Sequence, residues 1–136
     1  MSHTLIGTIL DARLQTWASD RGLHVVYRNQ LFRPVAAQIY LRAFTLPAAT
    51  NSLDLAGQHR VYQGVYQISI VGPAGSGPVA AGSLADELCS LYSLNGRYSR
   101  DGLTVQVVTP ASQGGGTQDD TTFTVPVSFE YQAHTD

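Results

Sequence analysis

Residues 123–134 read FTVPVSFEYQAH, and this stretch decides the fold because its side chains alternate in character from one position to the next. The odd-numbered residues are all apolar: Phe123, Val125, Val127, Phe129, Tyr131 and Ala133. A period of two with one apolar face predicts a β-strand that lays one side on a core. Since proline has no amide hydrogen, Pro126 predicts that this strand lies at a sheet edge or carries a bulge there.

Two more strands are predicted upstream. Residues 60–71, RVYQGVYQISIV, are rich in valine, isoleucine and tyrosine, which is typical of strands. Residues 35–44 alternate, with Val35, Ala37, Ile39, Leu41 and Ala43 on one apolar face. The two segments can pair as an antiparallel hairpin. Shorter strands are predicted over residues 23–28 and 103–107.

Two helices are predicted from apolar residues at three- and four-residue spacing. The first covers residues 4–20, with an apolar stripe of Leu5, Ile6, Ile9, Leu10, Leu14 and Trp17. The second covers residues 78–94, with Pro78 in its first turn and Asn95-Gly96 at its end.

The order helix, two strands, helix, two strands predicts an α+β fold. We expect two helices packed on one face of a mostly antiparallel four- to five-stranded sheet. Residues 45–59 and 109–121 lose all periodicity and are predicted to be two long flexible loops. No internal repeat or shift in composition marks a boundary, so we expect a single domain over residues 1–136.

Composition excludes several classes of function. The net charge is −2, which argues against a general binder of nucleic acid or anionic membranes. All eight basic residues are arginines, so a Schiff-base lysine and a phosphate-loop lysine are excluded. The single cysteine, Cys89, cannot form an internal disulfide or a thiolate zinc cage. No apolar run approaches the ~20 residues that span a bilayer, and the first ten residues lack a basic leader, so we expect a soluble chain.

No group of residues predicts a catalytic, cofactor-binding or metal site, and we expect a protein that is not an enzyme. The corner at residues 72–77 is glycine-rich but lacks the lysine of a phosphate loop, which favours a simple connector. The four histidines form no helical pair that is typical of a metal site. Cys89 lies beside Leu88 and reads as a small buried hydrophobe.

Aromatic residues alternate with arginine at Tyr40, Arg42 and Phe44, on the less apolar face of a predicted strand. Such a face is typical of sheets that stack single-stranded nucleic acid, and also of protein interfaces, which are enriched in these residue types. A plain half-buried strand face explains the pattern about as well. Two hypotheses therefore stand: a structural assembly protein, or a small module that binds protein or single-stranded nucleic acid through this face.

Several segments, in order along nearly the whole chain, carry a resemblance. They are the N-terminal helix, IYLRAF at residues 39–44, YQGVYQI at 62–68, GPAG at 72–75, ADEL at 85–88 and VPVSFEY at 125–131. In these segments the chain resembles the tail terminator family of long-tailed bacteriophages, namely the lambda-type minor tail protein U group and its prophage relatives. The shared segments are structural, and the family brings no active-site motif.

The resemblance implies a structural role in the virion tail. Family members form a six-subunit ring that ends tail-tube polymerisation and joins the tail to the head. The implied partners are the chain itself, the tail tube protein and a head-completion or connector protein, with no cofactor, no membrane and no sequence-specific nucleic acid. Assembly would take place in the cytoplasm of the host bacterium. We expect the two loops to make ring and tube contacts, with Arg42 and Arg60 facing the acids Asp54, Asp119 and Asp120.

Overall fold

The computed structural model describes residues 3–27, 39–48, 51–52, 60–73, 79–115, 117–118 and 122–135. Along these residues the elements are α1 (His3–Asp20), β1 (His24–Tyr27), β2 (Tyr40–Pro47), β3 (Asn51–Ser52), β4 (Arg60–Pro73), α2 (Val79–Leu91), β5 (Arg97–Arg100), β6 (Leu103–Val107), β7 (Ser112–Gln113), β8 (Thr117–Gln118) and β9 (Thr122–Thr135). Both predicted helices are present, within three residues of their expected ends.

The strands form one sheet in the order β1-β2-β4-β9-β6-β5, with β3 on β4 and both β7 and β8 on β9. The pair β1–β2 is parallel, and the other pairs in the described residues are antiparallel. The α+β class is confirmed, and so is the antiparallel pairing of the strands that begin at residues 40 and 60. The predicted count of four to five strands was wrong, since this part of the chain holds nine.

Part of the difference between the predicted and observed number of strands lies in the two predicted loops. β2 continues to Pro47, and the short β3 also lies within residues 45–59. β7 and β8 lie within residues 109–121 and pair with β9. The remaining loop positions 49–50, 53–59, 116 and 119–121, like positions 35–38 of the predicted strand, lie outside the described residues.

β9 lies in the middle of the sheet, between β4 and β6, so the prediction of an edge strand was wrong. Its register against β4 runs unbroken through the pair Ser69–Pro126, which also excludes a bulge. The carbonyl of Pro126 accepts a 2.8 Å hydrogen bond from the amide of Gly114. Because the N and C=O of one strand residue point to the same side, the missing amide faces Gly114 and not β4. Pro126 therefore interrupts no hydrogen bond with β4.

The core lies between the helices and one face of the sheet, which we call the inner face. Ile6, Leu10 and Leu14 of α1 and Ala85 and Leu88 of α2 belong to one buried cluster with that face. The inner face contributes alternate residues, including Leu41, Ala43, Tyr66, Ile68, Ile70, Val105, Val125, Val127 and Phe129. The buried phenol of Tyr92, just after α2, donates a 2.7 Å hydrogen bond to the carbonyl of Leu10. Both helices therefore pack on the same face, as predicted.

Candidate interaction face

The other side of the sheet, which we call the outer face, carries the three residues that the sequence singled out. Leu41 and Ala43 are buried in the core, so Tyr40, Arg42 and Phe44 point the opposite way. The ring of Tyr40 is only 7% exposed and packs with Val26 and Val71 in a second, smaller cluster.

Arg42 and Phe44 remain at the surface. Arg42 is exposed and its guanidinium carbon lies 5.8 Å from the centre of the Tyr40 ring. Phe44 is half-buried. The buried ring of Tyr40 is not a platform on which a nucleic-acid base can stack, because stacking needs an open aromatic face. This weakens the nucleic-acid hypothesis and leaves a protein contact as the better fit for the outer face.

A row of residues that the sequence did not single out crosses the outer face beside Phe44. Leu46 lies opposite Val65, and Val65 lies opposite Glu130. The amide of Val108 donates a 3.0 Å hydrogen bond to the carbonyl of Glu130, which brings Val108 into the row. We call Leu46, Val65 and Val108 the apolar row, and Glu130 lies in the same line between Val65 and Val108.

The apolar row is open to solvent. Leu46 is 50% exposed and Val108 is 38% exposed. A groove with a volume of about 330 Å³ runs over the row and is bordered by Gln63 and Gln132. The sequence signal for it was weak, because Leu46 continues the alternation of Arg42 and Phe44 beyond the predicted strand end.

Two unpaired charges lie on the outer face. In the part of the chain that the structure describes, the ion pair is between Arg21 and Glu87, at 2.6 Å, on the helical side of the molecule. Within those same residues neither Arg42 nor Glu130 has an oppositely charged partner. Both side chains are exposed. Exposed apolar side chains next to charges that lack an internal partner fit a protein contact surface, which combines apolar burial with electrostatic complementarity.

Comparison with known proteins identifies the family. A family model described as phage tail terminator protein matches residues 5–131. The chain belongs to this family. It is therefore a structural component of a phage tail, and its place is in the virion.

A solved structure resembles this tail terminator closely. It is 44% identical in sequence, covers 98% of this chain and 96% of its own, and superposes with a TM-score of 0.82. Its name states no activity or partner. No curated protein matches the chain.

For the remaining predicted interface residues of the tail terminator, the structure describes no side-chain contacts. Asp54, Asp119 and Asp120 are outside the described residues. Arg60 begins β4, opposite Ser52 of β3, but only its backbone is described. The pairing of Arg42 and Arg60 with these acids stays a prediction.

A partly buried hydrogen bond links Asp11 of α1 to the sheet of the tail terminator. Burial raises the pKa of Asp11, whose carboxylate accepts a 2.6 Å hydrogen bond from the phenol of Tyr66. Burial also raises the pKa of the Cys89 thiol, which favours the unreactive protonated form.

Among the described residues, no cluster of three or more histidine, cysteine or acidic side chains is arranged to hold a metal ion. No helix of these residues is long and apolar enough to cross a membrane.

Proposed function

We propose that this tail terminator assembles into a ring of six subunits, ends the polymerisation of the tail tube and joins the tail to a head-completion protein. The match of the family model over residues 5–131 is the observation that carries the proposal. The same proposal includes a single domain over the whole chain, a function without catalysis, and assembly in the cytoplasm of the host bacterium.

The sheet supports a ring because its two edges differ. A closed ring needs a heterologous contact, in which one surface meets a different surface of the next subunit. Among the strands that the structure describes, one edge of the sheet is β1, whose Val25 and Val26 are buried. The opposite edge is β5, where Arg97 and Arg100 are exposed. Unlike edges of this kind suit head-to-tail association better than a symmetric edge-to-edge contact.

Native mass spectrometry over a wide range of concentration, with negative-stain images of the most concentrated sample, tests the ring. We expect six subunits around a central hole. If the chain stays monomeric, the next experiment adds it to polymerising tail tube protein. We then expect the terminator to limit the length of the tubes. If tube length is unchanged, the alternative of a small binding module replaces the proposal.

The loop contacts have a separate test. Reversing the charges of Asp119 and Asp120 to arginine should weaken assembly if these acids face Arg42 or Arg60 of a neighbouring subunit. A double variant that assembles as the parent does removes both acids from the interface. Asp20→Arg, at the end of α1, is the matched charge-reversal control. Glu130→Arg is less suitable as a control, because Glu130 lies on the outer face together with Arg42.

A further inference from the structure

The outer face carries two unpaired charges, Arg42 and Glu130, with an apolar cluster on one side of the line that joins them. Arg42 on β2 lies opposite Ser69 on β4, and Ser69 lies opposite Pro126 on β9. Glu130 is four residues further along β9. With strands ~4.8 Å apart and a rise of ~3.3 Å per residue, the Cα atoms of Arg42 and Glu130 are roughly 16 Å apart.

On one side of the line from Arg42 to Glu130 lie three apolar residues, Phe44, Val65 and Leu46, and on the other side lie Ser69, Pro126 and Ser128. Gln67 lies at the midpoint of the line, with Phe44 as its partner on β2 and Val65 two positions along β4. Leu46 completes the cluster next to Val65. In the described part of the chain no helix or strand packs on this side of the apolar row, and Leu46 is 50% exposed.

We propose that the outer face joins two copies of this chain about a two-fold axis, with Arg42 of each copy opposite Glu130 of the other. On the strand lattice, the two-fold rotation that brings Arg42 onto the second copy's Glu130 also brings Phe44 close to the second copy's Val65. The same rotation places the two Leu46 side chains near each other, beside the axis. The Arg42–Glu130 and Phe44–Val65 contacts are each made twice, as an isologous interface requires.

Charge complementarity is the reason to choose a second copy as the occupant. A foreign partner would have to supply both a cation for Glu130 and an anion for Arg42 at the right separation. The face already holds both charges at that separation, so a second copy supplies the complement without further assumption. Covering Leu46 and Phe44 then adds apolar burial to the two ion pairs.

The dimer is distinct from the proposed ring. A two-fold contact closes on itself and cannot propagate around a ring, which needs a heterologous contact. The inference therefore stands or falls independently of the proposed function. If it holds, the dimer is a second association of the chain, made through the sheet face and not through the edges.

Sedimentation equilibrium of the full chain tests the dimer. We expect the parent to show a monomer–dimer equilibrium that weakens with salt. Arg42→Glu and Glu130→Arg should each weaken dimerisation at least tenfold, because each puts like charges opposite each other. Arg100→Glu makes the same change of charge at an exposed position of β5 and should leave the dimer unchanged.

Mixing the two variants gives the sharper result. Arg42→Glu leaves acids at both positions, and Glu130→Arg leaves bases at both. An equimolar mixture should therefore regain a dimer with one copy of each, in which both ion pairs are restored. Circular dichroism spectra of each variant check that the fold is kept.

Two leucine variants provide a second test of the dimer. Leu46→Ser should weaken the dimer, whereas Leu94→Ser should not, although the two leucines are equally exposed at 50% and 49%. Three results overturn the inference: a parent that is monomeric throughout, single variants that dimerise like the parent, or a mixture that regains nothing. None of these three results bears on the proposed function, because the ring is tested separately by native mass spectrometry.

Discussion

The phenol of Tyr66 on β4 donates a 2.6 Å hydrogen bond to Oδ1 of Asp11, a half-buried carboxylate in the middle of α1. Tyr66 is fully buried and its ring lies 5.6 Å from Phe129 and 5.8 Å from Tyr92. Burial raises the pKa of Tyr66 well above its usual value, so the phenol remains a donor throughout the accessible pH range. This hydrogen bond links the first helix to the centre of the sheet.

The first prediction concerns the pH dependence that Asp11 gives to stability. Burial raises the pKa of Asp11 above the usual value of an aspartate, and the hydrogen bond from Tyr66 only partly offsets this. The folded state therefore holds the proton of Asp11 more tightly than the unfolded state does. The contribution of Asp11 to the free energy of unfolding is therefore most favourable below its unfolded pKa of ~3.9, and it is lost as the pH rises through the folded pKa.

Asp11→Asn removes that dependence and keeps an oxygen that can accept the hydrogen bond from Tyr66. Urea unfolding between about pH 3 and pH 7 should show the variant gaining stability relative to the parent as the pH rises. A constant difference at all pH values contradicts the prediction. Tyr66→Phe is the companion variant, and should cost about 1–3 kcal/mol near neutral pH because it leaves the carboxylate without its donor.

The second prediction concerns Gly64, where β4 passes beneath Tyr131. A Cβ at this position would lie 2.6 Å from the carbonyl oxygen of Leu46 and 2.6 Å from the phenol oxygen of Tyr131. The first of these neighbours is backbone and cannot move without disturbing the β2–β4 pairing. Gly64→Ala should therefore destabilise the fold by about 1–3 kcal/mol, measured by urea unfolding.

Gly82 of α2 provides the matched control for Gly64. A Cβ there would meet nothing within 4 Å, and the residue lies inside a helix. Gly82→Ala should stabilise the fold by roughly 0.5–1 kcal/mol, because alanine loses less backbone freedom on folding. Equal effects of the two substitutions would show that the contact with Leu46 and Tyr131 is not the cause.

The third prediction concerns the end of α2. Nε of Arg13 donates a 2.9 Å hydrogen bond to the carbonyl of Leu91, the last residue of α2. The guanidinium carbon lies 4.6 Å from the centre of the Tyr98 ring. A cation at a helix C-terminus and one over an aromatic ring each stabilise by roughly 0.5–1 kcal/mol.

Arg13→Ala should therefore lower the free energy of unfolding by about 1–2 kcal/mol. Arg13→Lys should recover only part of the loss, because an ammonium group lacks the planar face that stacks on Tyr98. Arg100→Ala removes an exposed arginine from β5 and should change stability by less than about 0.5 kcal/mol. Thermal and urea unfolding of the three variants distinguish these outcomes, and a lysine variant as stable as the parent would contradict the role of stacking.

The long alternating segments predicted the framework of the fold because each has one face on the core and one off it. β4 and β9 fall into this class, and so does the described part of β2. β3, β7 and β8 are two residues long and β5 is four, which is too short for a period to show. They exist because longer neighbours offer them backbone partners, and a single sequence does not reveal that pairing.

The outer face was predicted only in part, for the same reason. The alternation placed Arg42 and Phe44 on one side of β2, where the structure has them. The burial of Tyr40 arises from Val26 and Val71 on neighbouring strands. The apolar row of residues 46, 65 and 108 is brought together around Glu130 by the pairing of the strands. Such contacts depend on tertiary pairing and cannot be predicted from one segment alone. Pro126 shows a different failure: the rule that a strand proline lies at an edge or a bulge did not hold, because the proline lacks a hydrogen-bond donor only on the side that faces Gly114.

The last prediction concerns Arg21 and Glu87, which join the end of α1 to α2 at the surface. Nη2 of Arg21 lies 2.6 Å from Oε1 of Glu87, and its guanidinium carbon lies 4.5 Å from the centre of the Trp17 ring. The hydrogen bond from Arg21 lowers the pKa of Glu87. The contribution of Glu87 is therefore present above its unfolded pKa and is lost as the pH falls through its folded pKa, the opposite direction to Asp11.

Glu87→Gln should lower the melting temperature slightly near neutral pH and not at all in strong acid. Salt at about 1 M should remove the difference as well, because both side chains are partly exposed and their attraction is screened. Arg21→Gln should have the larger effect of the two, since it also removes the cation over Trp17. A Glu87→Gln variant whose deficit persists at high salt would show that the carboxylate acts through packing and not through its charge.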